Sequence, residues 1–148
     1  MRRGALFIDR DGTINKDCPY CHDVKDLYIY EDAVEIMKEY KNKGYLIIII
    51  TNQSGINRGY FTDQEFHAFH NELLKRLNER EVEVDKTYYC PHRPDENCRC
   101  RKPNLGMIEK AMEEFDIDLK SSIIIGDRDD MEGEMGRRLE IKYRILKR

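Results

Sequence analysis

Tyr45-Leu46-Ile47-Ile48-Ile49-Ile50 is the longest wholly apolar run of the chain, and it stops abruptly at Thr51-Asn52-Gln53-Ser54-Gly55. A short run so rich in β-branched residues suits a strand buried on both faces. Working outward, comparable runs stand at Ala5-Leu6-Phe7-Ile8, Thr87-Tyr88-Tyr89, Ile123-Ile124-Ile125 and Tyr143-Arg144-Ile145-Leu146. Amphipathic stretches separate them. Asp32 to Lys43 sets Val34, Met37 and Tyr40 at helical spacing, with Gly44 just past the end. Thr62-Asp63-Gln64-Glu65 has the form of a capping box and leads a helix through Phe66, Phe69, Leu73, Leu74 and Leu77. Met107 to Phe115 reads as a third helix. Strand–helix alternation of this kind predicts an α/β fold, a parallel sheet with helices on both faces.

The chain has 148 residues, which suits a single domain over 1–148 with one hydrophobic core. Lysine plus arginine is 26 and aspartate plus glutamate is 29, a net charge of −3. That balance speaks against a nucleic-acid partner, which normally shows as a basic excess. No apolar run approaches the roughly 20 residues of a membrane span, and charged Asp9-Arg10-Asp11 comes too early for a signal peptide. A cytoplasmic protein with no membrane partner is expected. Oligomeric state is not written in the sequence, and a monomer is taken as the starting expectation.

In open α/β sheets, ligands bind beyond the carboxyl ends of the strands. Here the first strand runs into Asp9 and Asp11, the second into Thr51 and Asn52, the third into Cys90 and the fourth into Asp127. Asp9 and Asp11, two apart on extended chain, face the same side while Arg10 points away. Two carboxylates so close repel, and a divalent cation such as magnesium relieves that. An aspartate can also attack phosphorus while a second acid moves protons. The plain alternative is a polar turn after a strand. Asp127 could complete the cation site with Asp9, whereas Asp129 and Asp130 suit a solvated loop or a helix cap equally well. Thr51-Asn52-Gln53-Ser54-Gly55 offers a hydroxyl, amides and backbone N–H groups that could cradle phosphate, though such residues are also ordinary turn formers.

Cys90-Pro91-His92 and Cys98-Arg99-Cys100 gather three thiols and an imidazole within a short span, a set suited to tetrahedral structural zinc. Free thiols or one disulfide are the alternatives. Arg101 and Lys102 follow directly and suit phosphate or carboxylate recognition if the zinc loop aims them. Cys18-Pro19-Tyr20-Cys21-His22 matches the haem-attachment pattern in form, but covalent haem belongs to exported proteins; a metal half-site or plain loop thiols fit better. His67 and His70 have no evident partner and are read as structural.

Phe7-Ile8-Asp9-Arg10-Asp11-Gly12-Thr13-Ile14-Asn15, Thr51 to Gly59, the cysteine–histidine segment ending in Arg101-Lys102-Pro103, and Ile125-Gly126-Asp127 occur in that order. Together they resemble the haloacid dehalogenase phosphatase superfamily, and within it the branch of heptose 1,7-bisphosphate 7-phosphatases and histidinol-phosphatases. The resemblance implies a Rossmann-like parallel sheet without a large cap domain and with a zinc-stabilised loop. It implies Asp9 as nucleophile and Asp11 as general acid/base. Magnesium would be held by the Asp9 carboxylate, the Asp11 backbone carbonyl and Asp127, and Zn2+ by Cys90, His92, Cys98 and Cys100. Thr51 and Lys102 would steady the phosphoryl group and Arg101 would recognise substrate. Asp17 to Tyr20 (with Asp17 and Tyr20 foremost), Asn52, Gln53, Ser54 and Arg128 would line the substrate pocket. The last motif departs from the family: its Asp-Met pair comes one residue early, which leaves the role of Asp130 open.

These readings converge on a magnesium-dependent phosphatase acting through an aspartyl-phosphate on a small phosphorylated metabolite. Arg58, Arg101 and Arg128 favour a sugar bisphosphate, and the resemblance implies a heptose 1,7-bisphosphate attacked at its 7-phosphate. Histidinol phosphate is the alternative suggested by the short gap between His92 and Cys98. A 3′-phosphorylated nucleic acid is a more distant one. From a different class, the chain could be an inactive zinc-stabilised binding module.

Overall fold

The computed structural model describes residues 2–148. Five parallel strands form one sheet: β1 (Ala5–Ile8), β2 (Leu46–Asn52), β3 (Lys86–Cys90), β4 (Ile123–Gly126) and β5 (Lys142–Ile145), in the spatial order β3-β2-β1-β4-β5. Four α-helices accompany them: α1 (Glu31–Asn42), α2 (Asp63–Glu79), α3 (Gly106–Glu114) and α4 (Glu134–Leu139). Alternation along the strands divides the core in two. Leu6, Ile8, Ile47, Ile49, Ile123 and Ile125 pack with Val34 and Met37 of α1 and with Phe69, Leu73 and Leu77 of α2. Ala5, Phe7, Ile48, Ile50 and Ile124 face the other way, onto Met107, Ile108 and Ala111 of α3 and Met135 of α4. The period-two pattern thus serves two apolar faces at once, as a doubly covered parallel sheet requires.

The capping box at Thr62 is present in full: its hydroxyl accepts from Glu65 N at 3.0 Å, and Glu65 Oε1 accepts from Thr62 N at 3.0 Å. Helices α1 and α3 each begin one residue before the expected bounds and end one before them. Burial on both faces holds for the central strands β1, β2 and β4 but not for β5, where Lys142, Tyr143 and Arg144 are exposed. As an edge strand, β5 is paired only with β4 and tolerates charge on its open sides. Between β1 and α1 the chain inserts a loop with only a 3-10 turn at Val24–Asp26, so no cap domain covers the strand ends. Among the described residues no helix is long and apolar enough to cross a membrane.

Beyond β4 the backbone makes one π-helical turn over Asp129–Gly133 before α4 begins. A π turn shifts side chains off α-helical register, and such turns concentrate at functional sites. Here it turns Glu132 inward to full burial while Asp129 and Asp130 stay in solvent.

Candidate active site

The carboxyl ends of β1, β2 and β4 open onto a cleft of about 340 Å³ whose wall includes Asp9, Asp11, Thr51, Lys102, Asp127 and Glu132. Asp9 continues the β1 ladder through its N–H to Ile125 O at 3.0 Å. Its Oδ1 accepts from Lys102 Nζ at 2.6 Å and its Oδ2 from Thr13 Oγ1 at 3.1 Å. Both carboxylate oxygens of Asp9 are thereby fixed at the cleft floor. The Thr13 hydroxyl lies 3.4 Å from Asp127 Oδ1, so it spans the two acids. Gly12 permits this closeness, because it takes φ +92° and a Cβ there would stand 2.3 Å from Asp127 Oδ2.

Lys102 is the electrostatic hub. Its Nζ donates to Asp9, to Glu132 Oε2 at 2.7 Å and to Ile50 O at 3.1 Å, which fills all three of its donors. Burial alone would push its pKa down, but the charges of Asp9 and Glu132 outweigh it and the pKa is raised. Asp127 is pushed up to about 7, first by burial and then by the negative charge of Asp9. Burial also raises Glu132, against the pull of Lys102. Carboxylate oxygens of Asp9, Asp127 and Glu132 lie within 4.8 Å of one another, and Glu132 Oε1 is buried without a hydrogen-bond partner. Three hard oxygen donors, one of them orphaned, fit a divalent cation such as magnesium.

Asp11 stands apart from that trio. Its Oδ1 accepts from Arg10 Nε at 2.9 Å and Asn15 Nδ2 at 3.0 Å; its Oδ2 accepts from Arg10 Nη2 at 3.0 Å and Gln53 Nε2 at 2.9 Å. Burial would raise its pKa, yet Arg10 and these donors hold it below the usual carboxylate range. The expectation that Arg10 turns away from the two acids needs correction. Its side chain enters the core beneath the loop, but the guanidinium folds back under Asp11.

The remaining expected residues divide by what their side chains do. Gln53 also donates to Thr51 Oγ1 at 2.9 Å, tying the two together. Asn52 is engaged with the Lys102 backbone, accepting from its N–H at 2.9 Å and donating to its carbonyl at 3.3 Å. Ser54 Oγ accepts from Arg58 Nε at 3.0 Å. All three line the cleft, but these bonds give them a positioning task there. Asp17, Tyr20, Arg101 and Arg128 form its outer rim. The Asp17 pKa is raised by burial and by the nearby charges of Asp11 and Asp9. Burial and the adjacent Arg58 and Arg128 charges lower that of Arg101, so three arginines gather at one side of a cleft whose lining also carries Asp9, Asp11, Asp17, Asp127 and Glu132. Asp130 pairs with Arg128 at 2.6 Å on the surface and does not itself line the cleft.

Beside the cleft, one ligand atom each from Cys90, His92, Cys98 and Cys100 lies within 4.8 Å of the others. Cys90 Sγ is 3.5 Å from Cys98 Sγ, His92 Nδ1 is 3.2 Å from Cys100 Sγ, and Cys98 and Cys100 sulfurs are 3.7 Å apart. Tetrahedral zinc at about 2.3 Å from sulfur sets neighbouring sulfurs about 3.8 Å apart, so the donor set fits. The Cys90 and Cys100 sulfurs are themselves in bonding contact, which keeps a disulfide as the competing arrangement. It would leave Cys98 and His92 Nδ1 gathered without a purpose. Cys18 and Cys21 are joined to each other, which replaces the metal half-site or free thiols expected there.

Besides Thr13, which spans Asp9 and Asp127, three residues at or beneath the site were given no role there by sequence. Glu132 was missed because only the π turn brings it inward; the shortened last motif was the available signal. Asn15 supports Asp11 from within the first motif. His70, expected to lack a partner, has its Nδ1 3.4 Å from Arg10 Nη1 and its Nε2 2.7 Å from Thr87 Oγ1. His67 likewise has one, with Asp63 at 3.3 Å.

The sequence family described as Polynucleotide kinase 3 phosphatase matches residues 7–139. A Thermoplasma acidophilum protein named "Probable D-glycero-D-manno-heptose-1,7-bisphosphate 7-phosphatase" is 55% identical over 142 residues, covering 96% of this chain and 89% of its own. The D-glycero-alpha-D-manno-heptose-1,7-bisphosphate 7-phosphatase of Campylobacter jejuni is 43% identical over 86% of this chain and 73% of its own. Among solved structures, the D,D-heptose 1,7-bisphosphate phosphatase of B. bronchiseptica, complexed with magnesium and phosphate, superposes with a TM-score of 0.86. It is 25% identical, with 96% of this chain and 79% of that one covered.

Proposed function

This chain belongs to the polynucleotide kinase 3 phosphatase family of haloacid dehalogenase-like phosphatases and is a phosphomonoester hydrolase; from that premise we propose that it removes the 7-phosphate of a D-glycero-D-manno-heptose 1,7-bisphosphate through an aspartyl-phosphate on Asp9. The observation that carries the reading is the pinned Asp9 carboxylate at the floor of a cleft that Arg101 and Arg128 also line. Asp9 attacks phosphorus, the bond to the sugar oxygen breaks, and Asp11 delivers the proton that the departing oxygen needs. Asp11 then takes a proton from water as that water attacks the aspartyl-phosphate, releasing inorganic phosphate and restoring Asp9. Lys102 and Thr51 supply a fixed charge and a hydroxyl for the equatorial phosphoryl oxygens, where charge accumulates. Asp9, Asp127 and the Asp11 carbonyl would hold Mg2+, with Glu132 at its edge; its chemistry there is to neutralise charge on the phosphoryl group. Zn2+ on Cys90, His92, Cys98 and Cys100 would be structural, since four protein ligands leave no open position.

The substrate assignment draws on the named relatives and on Arg58, Arg101 and Arg128, which suit a second phosphate distant from the one cleaved. Arg128 would exchange Asp130 for that phosphate, at little cost because exposed ion pairs are weak. The test is phosphate release, with magnesium, from heptose 1,7-bisphosphate, fructose 1,6-bisphosphate, histidinol phosphate and a 3′-phosphorylated oligonucleotide. Strong preference for the heptose compound supports the reading, and preference for any other overturns the substrate. Asp9→Asn should abolish turnover while leaving the fold intact. Undiminished turnover would remove the mechanism.

A further inference from the structure

Arg10 is the largest side chain fully buried in the chain, and its surroundings are built for it. Its guanidinium carbon lies 5.2 Å from the Phe66 ring centroid and 4.8 Å from that of Phe69, a cation held between two aromatic faces. Nη1 donates toward His70 Nδ1 at 3.4 Å, and His70 Nε2 in turn meets the Thr87 hydroxyl at 2.7 Å. Phe66, Phe69 and His70 are spaced i, i+3 and i+4 on α2, so all three reach this cation from one helix face. His70 is suited to receive it: burial and the charge of Arg10 push its pKa down to about 3, leaving a neutral ring with Nδ1 as acceptor.

With that end anchored, Nε and Nη2 grip both oxygens of Asp11 at 2.9 and 3.0 Å; each oxygen also accepts from Asn15 or Gln53, so one of these two amides must yield when Asp11 carries a proton. Two parallel hydrogen bonds fix a carboxylate in plane and rotation as one bond does not. The Asp11 side chain keeps 20% of its surface exposed, and it forms part of the cleft wall. A buried ion pair is a poor device for stability alone, since apolar residues of similar volume serve as well. Here the pair ends on a group that faces substrate.

We propose that Arg10 is a positioning residue for the phosphatase reaction, its guanidinium setting from inside the fold the orientation from which Asp11 exchanges protons with the leaving oxygen and with water. This rests on the proposed role of Asp11, and the test separates the two. General acid catalysis matters for an alkyl phosphate, whose leaving alkoxide must be protonated, and little for p-nitrophenyl phosphate, whose leaving phenolate is stable. The readout is kcat/KM of each variant relative to wild type on each of these two ester types, with folding followed by thermal melting. Arg10→Lys keeps the charge but not the two-oxygen grip. It should lose about 30-fold on the alkyl ester and less than about threefold on the aryl ester, a fraction of what a general acid supplies. Asp11→Asn should show the same pattern more strongly. Phe69→Leu loosens the guanidinium without touching Asp11 and provides a second route should Arg10→Lys fold poorly; it should lose about fivefold on the alkyl ester alone. Equal loss on both esters, or no loss, in Arg10→Lys and Phe69→Leu overturns the inference while leaving Asp11 in its role. If Asp11→Asn itself fails to discriminate the esters, the role of Asp11 falls and Arg10 with it.

Discussion

Glu132 bears on the chemistry without reaching the phosphoryl group. It shares Lys102 with Asp9, and the three charges are buried together, with Lys102 and Glu132 side chains 3% and 2% exposed. Glu132→Gln should reduce kcat by about 10²-fold, as Lys102 shifts toward Asp9 and dulls it as a nucleophile. Asp130→Ala, on the surface, should change kcat by less than about twofold. Steady-state kinetics of the two variants reads the difference, and equal effects would refute the assignment. Asp127 adds a pH dependence. Its folded pKa, about 7, stands above the usual aspartate value of about 4, so the folded state binds a proton that the unfolded chain releases. Its contribution to stability is full below about pH 4 and is lost as pH rises through 7. Glu132, also raised, acts in the same direction. Between pH 5 and 8 the melting temperature of metal-free protein should fall, and millimolar magnesium should restore it at pH 8. A rise across that window would contradict the shift.

At the scale of elements, the loop between β3 and α3 carries Arg101 and Lys102 into the cleft, so whatever stiffens it sets the site. Cys98 distinguishes the two ways of stiffening. A disulfide between Cys90 and Cys100 makes no use of Cys98, whereas tetrahedral zinc needs it. Cys98→Ser should release bound zinc, measured by elemental analysis, and lower both stability and kcat. Unchanged metal content and activity would favour the disulfide. Element-scale features also mark the boundary of what sequence foretold. Strands β1, β2 and β4 and the polar residues that end them were legible because burial on both faces forces an unbroken apolar run. The exposure of β5 was not, because an edge strand can carry Lys142 and Arg144 without penalty. The π turn over Asp129–Gly133 has no composition of its own, so Glu132 passed for one more solvated acid. Arg10 was read by strand alternation as facing away, but its length let the guanidinium return under Asp11. His70 looked partnerless because Thr87 and Arg10 are near it only in space.

For the molecule as a whole, the near balance of 26 basic and 29 acidic residues contrasts with the local grouping of Arg58, Arg101 and Arg128. Such a local group suits a compact dianion, while a polynucleotide needs cations spread along its backbone. Arg101 is the rim arginine set deepest, tethered by Nη1 to His92 O at 3.3 Å and next in sequence to Lys102. Its removal should therefore separate recognition of the second phosphate from chemistry at the first. Arg101→Met should raise KM for a sugar 1,7-bisphosphate by about 10- to 150-fold, the loss expected of a charged hydrogen bond worth about 1.5–3 kcal/mol. KM for the matching monophosphate, which lacks the distal group, should move by less than about threefold, with kcat nearly constant for both. Rising salt should reproduce the same asymmetry in wild type, because screening weakens the exposed rim more than the buried Lys102. If Arg101→Met raised both KM values equally, Arg101 would belong to the transferring phosphate. Hydrolysis of a 3′-phosphorylated oligonucleotide as fast as the sugar bisphosphate would show that local charge, and not overall balance, decides the substrate.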